Sequence, residues 1–306
     1  MQKAKIVVVG SINMDLVVQT NQIPVPGETL IGQQFAMVPG GKGANQAVAA
    51  ARLGAEVTMI ACVGDDLFGT QMLERLNSEG IDTSHIKVIP QISTGIAAIQ
   101  IVPGGDNSII VVPGANMQVT PEQVEEASVC FQGADIVLVQ LEIPLPAVAK
   151  AIELARRYGV RTILNPAPAR ELPRELLQQI DVITPNETEA SILTRGKVEA
   201  LITVEERLQE MKQLVQQGDI MITHGAKGIV YDIEGQQGSF PAYQVKVVDT
   251  TAAGDSFNAG IAVRWGEGSS LTEAVAFATK VAAITVTRFG AQTSLPTREE
   301  VENFDN

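Results

Sequence analysis

Short β-branched and apolar runs alternate with helical patterns along most of this chain. The runs are Lys5–Gly10, Val57–Gly64, Ala134–Leu141, Thr162–Asn165, Asp181–Thr184 and Ile220–Thr223. The helical patterns include Gly43–Leu53, Thr70–Glu79, Pro146–Tyr158 and Val204–Gln217. Strands apolar on both faces and separated by helices predict an α/β fold, a mostly parallel central sheet with helices on either side. Leu271, Ala274, Val275, Ala278 and Ala282 form a helical stripe with small residues around it, which predicts a nearly buried helix. A chain of 306 residues with 45% apolar content can bury one large core.

Two segments break the alternation. Met14–Val38 holds strand-like pieces at Leu16–Gln19 and Leu30–Val38, joined by the turn-rich Ile23–Gly27. Ser93–Val112 reads as a strand pair, Gly95–Val102 and Ser108–Val112, around the turn Pro103–Asn107. Neither holds a helix, so together they predict a small β-sheet standing off the main domain. The expected division is a main domain of residues 1–12, 39–92 and 113–306 and a β-unit of residues 13–38 and 93–112. Glu234–Gly238 reads as a hairpin turn.

The net charge of −13 argues against nucleic acid or an anionic membrane as partner. An acidic chain that handles an anion needs local positive devices: helix N-termini, a lysine, a metal ion. The two cysteines, Cys62 and Cys130, and the two histidines, His85 and His224, show no metal-ligand spacing. The N-terminal apolar run is too short for a signal peptide or a membrane span, and a reducing, cytoplasmic setting is expected.

Asp249-Thr-Thr-Ala-Ala-Gly-Asp-Ser-Phe-Asn-Ala-Gly260 carries the sharpest chemistry. A β-rich run, Tyr243–Val248, precedes it and an apolar helix follows. Ala252, Ala253 and Gly254 have no bulky side chain, so their backbone can approach a ligand. Their N–H groups would open a helix, where free donors and the helix dipole attract an anion. Asp255 within such a site makes sense as a base for a group attacking that anion; its plain structural role is helix capping. Pro39-Gly-Gly-Lys-Gly-Ala-Asn-Gln-Ala47 stands before a second apolar helix. It is no Walker A loop, because Ala36 and Gly43 replace the required Gly and Ser/Thr. Nor is it a dinucleotide fingerprint, because Gln46 replaces the third Gly. Asn13 and Asp15 follow the first strand, and Glu142 follows another. With Gly41, Lys42 and Asn45 they make a set suited to a polyhydroxy ligand. Asn186 and Glu189 would share one face of a helix turn started by Pro185 and could orient the water shell of Mg²⁺; N-capping is their plain alternative. Thr223–Gly228 ends a strand with two glycines, Gly225 and Gly228, and His224 has no assigned chemistry.

These stretches, with Gly10-Ser-Ile-Asn-Met-Asp15, Pro185-Asn-Glu-Thr-Glu189 and Thr223-His-Gly-Ala-Lys-Gly228, resemble the signatures of the ribokinase (PfkB-type) carbohydrate kinase family in order and spacing. The resemblance spans nearly the whole chain. It implies a Rossmann-like sheet, with the small β-sheet as a lid over the sugar and a frequent dimer interface. It implies ATP-dependent phosphorylation of the primary hydroxyl of D-ribose, with Asp255 as base and Ala252, Ala253 and Gly254 as the anion hole. A kinase for deoxyribose or another sugar or nucleoside, or a non-catalytic sugar sensor, are the alternatives. The resemblance also implies Mg²⁺, and a K⁺ site at Asp249, Thr251, Thr285, Arg288, Gly290 and Ser294, mainly through backbone carbonyls and the Asp249 carboxylate. Thr279 matches a position on the nucleotide side, and Thr223–Gly228 matches the nucleotide loop, which would pass under the nucleotide with Lys227 reaching the triphosphate or only solvent.

Overall fold

Strand β1 (Lys5–Val9) places Ile6 and Val8 in one hydrophobic core and Val7 and Val9 in another. A strand buried on both faces belongs in mid-sheet under two helical layers. The computed structural model describes residues 2–103, 107–195 and 202–304. After β1 come β2 (Asn13–Gln19), β3 (Gln34–Gly40), α1 (Lys42–Arg52), β4 (Glu56–Gly64), α2 (Leu67–Ser78), β5 (Asp82–Ile89), β6 (Gly95–Ile101) and β7 (Asn107–Val112). The middle of the chain forms α3 (Pro121–Glu126), β8 (Ile136–Val139), α4 (Leu145–Tyr158), β9 (Arg161–Leu164), α5 (Arg174–Leu177), β10 (Val182–Ile183), α6 (Glu187–Arg195) and α7 (Val204–Val215). The last part forms β11 (Asp219–Thr223), β12 (Ile229–Ile233), β13 (Gln236–Phe240), α8 (Ala253–Gly266), α9 (Leu271–Thr285) and α10 (Arg298–Glu302).

Among the described residues, one sheet runs β13-β12-β11-β10-β9-β8-β1-β4-β5. It is parallel from β11 to β5, and β12 and β13 close its other edge antiparallel. The fold is α/β, as the alternation predicts. Helices α1, α8 and α9 pack one face, and α3, α4 and α7 the other. The chain leaves β1 towards β4 and later returns to β8 on β1's other side. Crevices at such a switch, beyond the carboxyl ends of the strands, are where open α/β sheets bind ligands. No helix among the described residues is long and apolar enough to cross a membrane.

The second sheet, order β3-β2-β6-β7, unites the two segments that break the alternation. Its strands differ from the expected ends. β2 starts at Asn13, and β3 spans Gln34–Gly40 rather than starting at Leu30. The pairing Asn13↔Gly40 runs β3 straight into α1. Of the expected turn at Pro103–Asn107, Gly104, Gly105 and Asp106 lie outside the described residues. One expectation fails outright: Tyr243–Val248 is no strand. It pairs with no neighbouring strand, and its end is tied instead by the Val248 N–H to the Val286 carbonyl at 2.8 Å. A hairpin does join β12 to β13, but its turn is only Glu234–Gly235, because Gln236–Gly238 of the expected turn already pair in β13.

Candidate active site

Three chain segments cross at the end of β1. Gly41 has φ +87, and a Cβ there would sit 2.6 Å from Asn13 N. A Cβ on Gly40 would lie 2.3 Å from the Asp15 carboxylate. Only glycines let the start of α1 lie on top of residues 12–15. Glu142, delivered by β8, accepts from the Lys42 N–H (3.1 Å) and from Ser11 Oγ (2.5 Å). A carboxylate at a helix N-terminus is favourably placed. Asn13 is buried, and its Oδ1 accepts from Asn116 Nδ2 at 2.7 Å. Asn116 also clamps the Ile12 N–H and carbonyl at 2.8 and 3.1 Å.

Helix α8 opens opposite this crossing. Ala252 is its N-cap in the left-handed region, φ 60, which only glycine adopts without strain. The Ala253 N–H turns back to the Thr250 carbonyl at 3.3 Å, and the Ser256 N–H makes the first helical bond, to Ala252, at 2.9 Å. The N–H groups of Gly254 and Asp255 fall in the first turn, which has no intrahelical acceptor for them. Gly254 has open space where a Cβ would stand. Asp255 is buried, with its carboxylate between two amides: Asn45 Nδ2 donates to Oδ2 (2.9 Å) and Gln46 Nε2 to Oδ1 (3.1 Å).

The charges here are coupled. Burial pushes the Asp15 carboxyl up to about 7, with Glu142 and Asp255 adding and Lys42 opposing. Burial also lifts Glu189 above the usual carboxylate range, against the Asn186 N–H and Lys42. Burial would lower Lys42, but Asp255, Glu142, Glu189 and Asp15 outweigh it and hold the ammonium above its ordinary value.

Three cavities meet around α8. One, about 590 Å³, is lined by Asn13, Asp15, Gly41, Lys42, Asn45, Glu142 and Asp255 and roofed by Val17, Ala97, Ile99 and Val111 of the second sheet. Another, about 370 Å³ and mostly apolar, lies among Thr223, Gly225, Gly228, Tyr243, Phe257, Gly254 and Thr279. A third, about 180 Å³ and polar, contains Lys42, Asn186, Glu189, Gly254, Asp255 and Asn258. It shares Lys42 and Asp255 with the first, and Ala253 and Gly254 with the second. A chamber lined by carboxylates, amides and a lysine, an anion-attracting helix start and an apolar slot thus lie in series.

Several expected residues behave differently from their sequence reading. Pro185 does not start α6. Asn186 caps it: Asn186 Oδ1 accepts the Glu189 N–H and Glu189 Oε2 the Asn186 N–H, both at 2.8 Å. This reciprocal box is the plain alternative, yet both residues still line the polar cavity. Lys227 does not line the apolar slot, although Gly225 and Ala226 of the same short 3-10 turn do; its side chain is exposed. Thr279 does line it, but its hydroxyl is spent on the Val275 carbonyl at 2.8 Å. His224 Nδ1 lies 2.8 Å from the Glu187 carboxylate. Asp249 stitches two loops: Oδ1 accepts from Thr251 N (2.9 Å) and Oγ1 (2.6 Å), and Oδ2 from Gly290 N (2.9 Å). The Thr285 and Ser294 hydroxyls bond the Val281 and Ala291 carbonyls, and Arg288 pairs with Glu300. The Thr285, Arg288 and Ser294 side chains are committed, so a cation there would rely on backbone carbonyls and the Asp249 carboxylate. Among the described residues no group of three or more His, Cys, Asp or Glu forms a metal-ligand cluster. The sequence reading missed Asn116, Asn165, Thr184 and Asn258, and it saw Gln46 only as a failed glycine. Asn165 and Thr184 end two of the predicted strands and Asn258 lies in the Asp249–Gly260 stretch; nothing local marked Asn116.

Such a site is the layout of a small-molecule kinase. The pattern of the pfkB family carbohydrate kinases matches residues 3–298, and the chain belongs to this family. It is 44% identical over 299 residues to a ribokinase of Haemophilus influenzae, covering 97% of each chain. It is 38% identical to a deoxyribokinase of Salmonella typhi, covering 98% of each. It superposes on the structure of an Arabidopsis thaliana ribokinase complexed with ribose and ATP with a TM-score of 0.89, at 34% identity and full coverage of both chains.

Proposed function

We propose that the protein transfers the γ-phosphoryl group of ATP to the 5-hydroxyl of D-ribose, giving D-ribose 5-phosphate and ADP. The observation that carries this is the place of Asp255, buried where the chamber of carboxylates and amides meets the open start of α8. Its relatives named ribokinase, one of them holding ribose and ATP, supply the substrates.

Asn13, Asp15, Gly41, Lys42, Asn45 and Glu142 bind and orient the sugar. ATP lies along Thr223, Gly225 and Gly228 with its base beside Thr279. The sugar oxygen bonds to the γ-phosphorus as the bond to the bridging oxygen breaks. Asp255 accepts the hydroxyl proton, and ADP leaves. Charge building on the transferring group is met by the N–H groups of Gly254 and Asp255 and by Lys42. A positioned base supplies ~10²–10⁴-fold of such an acceleration.

Asn186 and Glu189 fit Mg²⁺ arriving with the nucleotide, because Glu189 lines the polar cavity and only its Oε2 is spent on the capping box. Mg²⁺ would neutralise phosphate charge there. A K⁺ ion fits beside Asp249, Thr251, Thr285, Arg288, Gly290 and Ser294 and would brace the loop before α8. The second sheet is read as a lid and as the contact with a second copy of the chain. Free Cys62 and Cys130 suit a reducing cytoplasm.

The deoxyribokinase relative keeps deoxyribose open as acceptor. A coupled ADP-release assay over ribose, deoxyribose, fructose and adenosine decides. Ribose is expected to give the highest kcat/KM, and no turnover of any acceptor would leave a sugar sensor.

A further inference from the structure

Behind the Asp255 carboxylate lies a relay of buried amides that the reaction scheme leaves unused. Gln46, on α1, is fully buried and lines none of the three cavities. Its Nε2 donates to Asp255 Oδ1 at 3.1 Å and to Asn165 Oδ1 at 3.2 Å. Its Oε1 accepts from Gln140 Nε2 at 2.7 Å.

An ionised carboxylate only accepts hydrogen bonds. Gln46 must therefore turn its NH₂ towards Asp255, which leaves its carbonyl facing Gln140. Gln140 must then turn its own NH₂ to Gln46. The other end of Gln140 records the consequence: Oε1 is buried with no hydrogen-bond partner. Room for that oxygen exists because residue 10 is glycine, where a Cβ would lie 2.1 Å from it. Leaving a buried polar atom unpaired is costly. The relay accepts that cost at the end far from Asp255 and keeps every bond at the near end.

We propose that Gln46 is a positioning residue for phosphoryl transfer: held by Gln140 and Asn165, its amide fixes the rotation of the Asp255 carboxylate and aims it at the sugar hydroxyl. The proposal rests on the role of Asp255 as base. Asn45 grips the other oxygen but also lines the sugar chamber. Gln46 does not, so its effect reaches the reaction only through Asp255.

That difference sets the test. Gln46→Leu keeps the bulk and removes the donor. Gln140→Met keeps a similar length and bulk but cannot donate to Gln46 Oε1, so the Gln46 amide loses the bond that fixes its rotation. Steady-state kinetics with D-ribose and ATP are measured for wild type, both variants, Asp255→Asn and the double variant Gln46→Leu/Asp255→Asn. Each relay variant is expected to lower kcat about 10–100-fold, the scale of a misaimed reacting group. KM for ribose and for ATP should stay within about threefold, and adding Gln46→Leu to Asp255→Asn should change kcat less than about twofold. Wild-type kcat in the relay variants beside a crippled Asp255→Asn overturns the proposal alone. So does an equal loss from Gln46→Leu in both backgrounds, which would mark a merely structural residue. Wild-type turnover by Asp255→Asn would remove the base and this proposal with it. If Gln46→Leu does not fold, the near-isosteric Gln140→Met decides by its split between kcat and KM.

Discussion

Asn45 Nδ2 stands 2.9 Å from Asp255 Oδ2, joining the first turn of α1 to the first turn of α8. The contact links the glycine-rich loop that shapes the sugar chamber to the helix start that faces the phosphates. Asp255→Asn keeps the shape of the side chain but has one acceptor where two donors, Asn45 and Gln46, now converge. Ribose and ATP binding should stay within roughly tenfold of wild type, while kcat falls by ~10²–10⁴. Calorimetric titration beside single-turnover kinetics separates the two, and wild-type turnover would exclude Asp255 as the base.

Asp15 carries a pH signature. Its carboxyl titrates at about 7 in the folded chain, raised from 3.8 by burial and then by Glu142 and Asp255. The folded chain therefore holds a proton that the unfolded chain has released. Stability is lost as pH rises from the ordinary carboxylate range through about 7, and is flat above it. Asp15→Asn cannot ionise there. It should melt above wild type at about pH 8, with the gap closing towards about pH 5. The same variant should raise ribose KM far more than ATP KM, since a hydrogen bond to a charged group is worth ~1.5–3 kcal/mol. Parallel melting curves across pH, or equal rises in both KM values, would count against this placement.

The sheet, its two helical layers and the second sheet were legible because apolar period and turn residues are local signals. The loops at Gly41 and Gly254 were legible because small residues cluster where backbone must approach something. Tyr243–Val248 misled because β propensity measures fit to a pleated, half-buried surface, whereas Val247 and Val248 are 56% and 55% exposed. β5 and β13 were hidden by the polar residues that edge strands carry. The relay of Gln46, Gln140 and Asn165 was not legible at all. Its members come from α1, from the end of β8 and from the end of β9, and only the parallel order of β9, β8 and β1 brings them together. Asn186 and Glu189 fitted both a capping box and a metal shell, and spacing alone does not choose between them.

Gly254 separates fold from function. A Cβ there meets nothing within 4 Å, and the position lies in the first turn of α8. Ala in place of Gly in a helix gains about 0.5–1 kcal/mol. Gly254→Ala should therefore melt at or above the wild-type temperature. The methyl would project where the apolar and polar cavities join, so activity should fall at least about tenfold, a loss of about 1.4 kcal/mol in transition-state binding. Lower stability with unchanged activity would place Gly254 away from the phosphates.

The loop before α8 should respond to monovalent cations. Asp249 already ties Thr251 to Gly290, and a K⁺ ion on neighbouring carbonyls would tighten the same loop. Replacing Na⁺ by K⁺ at constant ionic strength should raise kcat at least as much as it lowers ATP KM, because loop geometry matters most in the transition state. Equal rates in the two salts would sink the cation site and leave the kinase assignment standing.

The second sheet should pair two copies of the chain. Register places Ala97 beside Val111 and Ile99 beside Ile109, on the face that carries Asp15 and Val17. This face roofs the sugar chamber, yet Ile109 and Val111 remain 53% and 49% exposed. The opposite face leaves Phe35 and Ile110 62% and 67% exposed. A four-stranded sheet with apolar surface on both sides is a poor solvent boundary, and burial against a second copy would resolve it. Sedimentation at micromolar concentration should give a dimer. Ile109→Asp should give a monomer, because a charge in a buried apolar contact is costly. Because Ile109 also lines the chamber, the monomer should show a raised ribose KM with ATP KM nearly unchanged. A wild-type chain that sediments as a strict monomer removes the dimer, and a dimeric Ile109→Asp moves the contact to another surface.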